Sequence, residues 1–161
     1  MLRFHIDSIP DLRLAEALPL DLSLSEEIAA APKVFLSKEA AGDFSRMDGR
    51  IEATLGREGT DVMVDLTVCY ETPLVCGRCL AEFVKRGETG ERTMFFHQKD
   101  PEPDMLERYG SDGWVDLGPW LRELLLTDLP FYPLCDEECR GLCPKCGQNR
   151  NDSDCGHLSE S

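Results

Sequence analysis

Seven of the eight cysteines in this chain fall into two clusters. The first is Cys76-Gly-Arg-Cys79. The second runs Cys135-x3-Cys139-x3-Cys143-Pro-Lys-Cys146-Gly-x7-Cys155-Gly-His157. With His157 these supply Cys76, Cys79, Cys135, Cys139, Cys143, Cys146, Cys155 and His157 as soft ligands, enough for two tetrahedral zinc sites. Any fold available to the chain must bring these groups to within a metal's reach of one another.

Whether such cysteines bind metal or form disulfides depends on compartment. The N-terminus, Met1-Leu-Arg-Phe-His-Ile-Asp7, is charged within three residues and does not read as a signal peptide. No apolar run approaches the ~20 residues of a membrane helix. The expectation is a soluble, cytoplasmic protein, where a reducing environment favours structural zinc over four disulfides. The formal net charge is −14. Thiolates outweigh a divalent ion, so a four-cysteine site adds about −2 and a three-cysteine, one-histidine site about −1. Such a field repels a phosphate backbone and attracts basic partners.

At 161 residues the chain is read as a single domain with its own apolar core. The predicted class is α+β: an antiparallel β-sheet or partly closed barrel, one main amphipathic helix and a C-terminal cysteine-rich segment. Residues 1–40 form an N-terminal arm or edge strands. There Leu2, Phe4 and Ile6 alternate with polar neighbours, and Pro19 confines the Leu18–Leu24 stretch to a sheet edge or an extended arm. Ser25 to Ala31 reads as a short helical turn ending before Pro32.

Residues 44–96 form the β body. Ile51, Ala53 and Leu55 alternate with polar residues, Gly56 to Gly59 signals a hairpin, and Val62, Val64, Leu66 and Val68 share one face. That strand runs on through Tyr70 to Pro73 and carries Cys76 and Cys79 to a hairpin tip. Further strands are expected around Phe83 and Val84 and around Met94 to Phe96, separated by a turn at Gly87 and Gly90. Residues 97–113 read as a loop. Within 114–134 a helix spans about 119–129, with Pro119 in its first turn and Leu117, Trp120, Leu121, Leu124, Leu125 and Leu129 as its apolar stripe. The zinc-binding segment is 135–157.

Cys143-Pro-Lys-Cys146-Gly147 is a strong zinc-knuckle signal, because proline stiffens the turn and glycine tolerates positive φ. Cys76-Gly-Arg-Cys79 is weaker, since Leu80 follows where glycine is wanted. The spacing leaves the pairing open. Cys76, Cys79, Cys135 and Cys139 form one site and Cys143, Cys146, Cys155 and His157 the other if every ligand is used. Alternatively, Cys139, Cys143, Cys146 and Cys155 make one local site beside a Cys76–Cys79 dithiol, or the two Cys-x2-Cys knuckles join as a ribbon. Cys69 reads as a semi-buried structural thiol opposite the apolar face. His5 and His97 read as surface or packing residues. The sequence lacks His-Glu-x2-His, a deaminase-type His-x-Glu with Pro-Cys-x2-Cys, and a phosphate loop, so no enzyme is expected.

The run Leu74-Val-Cys-Gly-Arg-Cys79-Leu80, Val115-Asp-Leu before a leucine-rich helix, Leu129-Pro-x2-Pro-Leu-Cys135 and Cys139-Arg-Gly-Leu-Cys143-Pro-Lys-Cys146-Gly-Gln-Asn-x-Asn151 together resemble the YceD family over roughly residues 40–157. That family usually closes with Cys-x-Cys where this chain has Cys155-Gly-His157, and zinc accepts either. The resemblance implies a non-enzymatic role in bacterial large ribosomal subunit biogenesis and accumulation of large-subunit rRNA. The implied partner is a ribosomal protein or a pre-ribosomal particle. Arg78, Lys85, Arg86, Arg92, Arg140, Lys145 and Arg150 are the candidates for a local basic face. The alternative is an acidic holder for a basic ribosomal protein, and a third reading is a Cys-x2-Cys redox factor.

Overall fold

A computed structural model describes residues 2–13, 18–30, 44–99 and 107–157. The chain divides into two compact units, Met1–Glu71 with Arg86–Leu129, and Thr72–Lys85 with Pro130–Ser161.

The first unit holds β1 (Arg3–His5), β2 (Leu18–Ser23), α1 (Leu24–Ala30), β3 (Asp48–Glu58), most of β4 (Asp61–Val75) and of β5 (Glu82–His97), β6 (Glu107–Tyr109), β7 (Trp114–Asp116) and α2 (Gly118–Asp128). β2 to β6 form an open five-stranded sheet in chain order, and β1 pairs with β7. Of the two expected forms this is the sheet. The alternation read from the sequence sets its register. Ile51 faces Val68, Ala53 faces Leu66 and Leu55 faces Val64 across β3 and β4, and all six side chains are buried. Pro19 does lie on an edge strand, opposite Thr54. The hairpin turn is two residues later than expected: β3 continues to Glu58, which pairs with Asp61.

The helix forms where its apolar stripe predicted. Leu117, Trp120, Leu121 and Leu125 are buried in the same core as the sheet. Trp120 packs edge-on against Phe95 of β5, with centroids 6.0 Å apart, and its indole N–H donates to Glu91. Tyr70 donates its hydroxyl to Asp128 at the end of α2. The end of the short helix read at Ala31 lies outside the described residues, as do Pro101 and Pro103.

Three expectations are corrected. The strands expected on either side of Gly87 and Gly90 are one 16-residue strand, β5. The two glycines do not turn the chain. They admit neighbours: a Cβ at Gly87 would lie 2.5 Å from the Tyr70 ring, and one at Gly90 2.8 Å from the Leu66 carbonyl oxygen. Within the expected loop at 97–113, β6 adds to β5 in parallel, with Phe95 opposite Glu107. Cys69 takes the face its parity predicted, but it is exposed, not semi-buried.

Gly90 gives a direct test of the close approach, because the opposing atom is backbone and cannot rotate away. Gly90→Ala is expected to lower unfolding free energy by about 1–3 kcal/mol, read from urea denaturation. A stability equal to the parent's would contradict this packing.

Candidate metal centres

All eight proposed ligands fall in the second unit, and the structure gathers them into two groups of four. Cys76, Cys79, Cys135 and Cys139 form one, and Cys143, Cys146, Cys155 and His157 the other; within each group the ligand atoms lie within 4.8 Å of one another. The geometry therefore agrees with the arrangement that uses every ligand. The sulfurs of Cys76 and Cys139 are 3.8 Å apart, and those of Cys79 and Cys135 3.6 Å. Metal–sulfur bonds of about 2.3 Å in a tetrahedron give a sulfur–sulfur edge of about 3.8 Å. A disulfide would hold the atoms at about 2.05 Å. In the second group the Cys143 sulfur lies 3.8 Å from His157 Nδ1. Both donor sets could hold a metal ion, and their softness suits zinc.

The two Cys-x2-Cys turns share one hydrogen-bond plan. Leu80 N–H donates to the Cys76 carbonyl at 2.9 Å, as Gly147 N–H does to Cys143 at 2.8 Å. Cys76 N–H donates to Ala81 and Cys143 N–H to Gln148. The residue after each second cysteine is left-handed, Leu80 at φ 62° and Gly147 at φ 74°. Leu80, 64 % exposed, thus accepts a conformation its Cβ disfavours. The first turn is a full knuckle despite lacking glycine.

These turns aim backbone amides at sulfur. The Cys76 thiol is pulled down to about 6 by the amides of Cys135, Cys79 and Arg78. Cys143 is pulled down to about 6, chiefly by the amide of Cys146 with that of Lys145. Cys135 is pushed up to about 12, first by its hydrogen bond to the Cys76 sulfur and then by burial. Without metal the clusters therefore share protons unevenly, and each already holds one ready thiolate.

Residues 64–161 match the family described as "Large ribosomal RNA subunit accumulation protein YceD". The match spans both ligand groups. The chain belongs to this family. Similar proteins include an uncharacterised protein of Mycobacterium tuberculosis, 32 % identical over 106 residues, covering 63 % of this chain and 49 % of the relative. A Mycobacterium leprae protein is 29 % identical over 105 residues, covering 63 % and 46 %. YlbN of Bacillus subtilis is 26 % identical over 102 residues, covering 62 % and 59 %. The chain spans about half the length of the mycobacterial relatives it matches. No solved structure matches.

Sequence reading of this YceD-family chain missed two supporting side chains. Arg78 was offered for a basic face, but its Nη1 donates to the carbonyls of Glu137 and Cys139 at 2.9 and 3.0 Å. Asn151 donates from Nδ2 to the Cys139 sulfur at 3.2 Å. Its presence in the Gly-Gln-Asn-x-Asn151 run was the available signal. His5 stacks edge-on with Trp114 and His97 with Tyr109, both as packing residues in the first unit.

Two measurements check this geometry. Seven thiols are available, with Cys76 and Cys143 held down to about 6 and Cys139 also lowered, chiefly by the Asn151 amide, so loading both groups with zinc at pH 7.5 releases fewer than seven protons, read from the buffer dependence of calorimetric heats. Below pH 6 these thiols are protonated as well, so proton release rises and affinity falls more steeply. Seven protons at pH 7.5 would contradict the knuckle amides' effect. Separately, Leu80→Gly removes an exposed side chain and a strained φ, and is expected to leave the loaded protein as stable or up to about 1 kcal/mol more so. A loss above about 1 kcal/mol in thermal unfolding would contradict it.

Proposed function

We propose that this chain is a non-enzymatic factor in bacterial large ribosomal subunit biogenesis, supporting accumulation of large-subunit rRNA, and that it carries two structural zinc ions. Cys76, Cys79, Cys135 and Cys139 hold one ion, and Cys143, Cys146, Cys155 and His157 the other. The family match over residues 64–161 carries the reading. The tetrahedral spacing of the ligands supports the metal part of it.

Zinc here serves architecture. With four protein ligands to each ion, no coordination position remains for substrate or water, which is the arrangement of a structural site. The first ion joins the tip of the β4–β5 hairpin to the segment after α2, and the second closes the 143–157 segment on itself.

The charge distribution favours contact through a basic ribosomal protein, free or within a pre-ribosomal particle. Much of the cationic surface is already matched: Arg50 pairs with Asp21, Arg86 with Glu71, and Arg92 with Asp65. Arg78 and Arg150 direct guanidinium groups to backbone carbonyls. Of the seven basic candidates, Lys85, Arg140 and Lys145 make neither a side-chain ion pair nor a side-chain hydrogen bond among the described residues. The second reading, an acidic holder for a basic ribosomal protein before assembly, rests on the net charge of −14.

Cells lacking the protein are expected to show a lower ratio of mature large-subunit to small-subunit rRNA, restored by the intact chain. Lys85→Glu with Lys145→Glu should restore it as well as the intact chain does, with the parent's metal content, because added negative charge does not weaken contact with a basic protein; poor restoration with full metal content would contradict that contact. Arg78→Glu should instead lose metal. An unchanged rRNA ratio in the deletion would overturn the proposal. In-cell crosslinking separates the two readings: a free ribosomal protein supports the holder, and assembling particles support the assembly factor.

A further inference from the structure

The second ligand group reaches into the first through one side chain. Asn151 lies between Cys146 and Cys155, inside the loop that the second group closes. Its Nδ2 donates to the sulfur of Cys139, a ligand of the first group, at 3.2 Å. The amide is held from every side. Its Oδ1 accepts from Arg140 N–H at 2.7 Å, and Asn149 Oδ1 accepts from both its N–H and its Nδ2, at 3.1 and 2.9 Å.

The backbone around it repeats the connection. Leu142 and Asn149 form an antiparallel bridge. Arg150 N–H donates to the Gly141 carbonyl at 2.9 Å, and Leu142 N–H to the Arg78 carbonyl at 3.1 Å. Residues 140–142 thus lie between the first knuckle and the 148–151 turn. Gly141 fits there because it is left-handed at φ 70° and a Cβ would sit 3.0 Å from the Arg78 carbonyl oxygen.

We propose that the two metal centres are coupled, with Asn151 as the positioning residue: an ion in the second centre fixes the 147–157 loop, which holds the Asn151 amide against the Cys139 thiolate and tightens the first centre. The inference rests on the zinc reading above. A four-thiolate centre carries net negative charge about its ion, and an N–H donor to one sulfur stabilises that charge. An amide free to rotate in an open loop loses this contact on average. Because coupling is reciprocal, an ion in the first centre tightens the second by the same factor.

The test is Co2+ titration of the full chain in competition with a chelator, read from the thiolate-to-cobalt absorption and the ligand-field bands, which differ between four-sulfur and three-sulfur, one-nitrogen centres. Asn151→Ala is expected to weaken the first centre about 10- to 100-fold. Asn151→Asp keeps the shape, places a carboxylate against the thiolate and should weaken it at least as much. Removing the second centre with Cys155→Ser and His157→Ala should cost the first centre a similar factor, and adding Asn151→Ala to that variant should cost little more. With Cys76→Ser and Cys79→Ser removing the first centre, Asn151→Ala should leave the second centre's affinity unchanged, which shows that the loop still folds. Two ions bound with first-centre affinity indifferent to Asn151 and to the second centre would overturn the coupling. Failure of the parent to bind two ions would overturn the zinc reading instead.

Discussion

The second unit is organised around sulfur. Among its described residues the buried ones are Thr72, Cys76, Cys79, Cys139, Gly141 and Cys143. Phe83, Leu134 and Leu142 are only partly buried against the cysteine cluster. Hydrophobic burial in so small a body is a weak stabiliser, and grouped thiolates repel one another. A dication held there would reverse the sign of that interaction, and its binding free energy would become folding free energy. The placement of Arg78, Leu80, Gly141 and Asn151 follows from this constraint, because each orients a backbone or side-chain dipole around the sulfurs.

The first unit is stabilised differently. Its core is a continuous apolar layer between the sheet and α2, and its polar sheet face carries the Arg–Asp and Arg–Glu pairs. Such exposed pairs contribute little stability. They do neutralise much of the cationic surface, which leaves the acidic excess of the chain unopposed. Such a field attracts a basic protein more than a phosphate backbone.

What could be read from the sequence was periodic or local. The β3 and β4 alternation, the stripe of α2 and the knuckle ending in Gly147 are each determined by neighbours a few residues away. What could not be read depended on distant partners. Gly87 and Gly90 signal a turn by composition, yet Tyr70 and the Leu66 carbonyl make them strand residues. β6 is three residues long and pairs in parallel, so alternation had too little length to show it. Leu80 adopts a glycine-like φ because the hydrogen bonds of the knuckle fix it there. Spacing alone left three ways to pair the ligands, and only their assembly in space selects two groups of four.

The proposed zinc arrangement makes these two groups separate tetrahedral metal centres. X-ray absorption on the purified zinc protein, with metal quantified per chain, tests it most directly. Two zinc ions are expected, with an average first shell of about 3.5 sulfurs near 2.3 Å and about half a nitrogen near 2.0 Å. One zinc per chain, or a Cys76–Cys79 disulfide beside a single four-sulfur site, would contradict it.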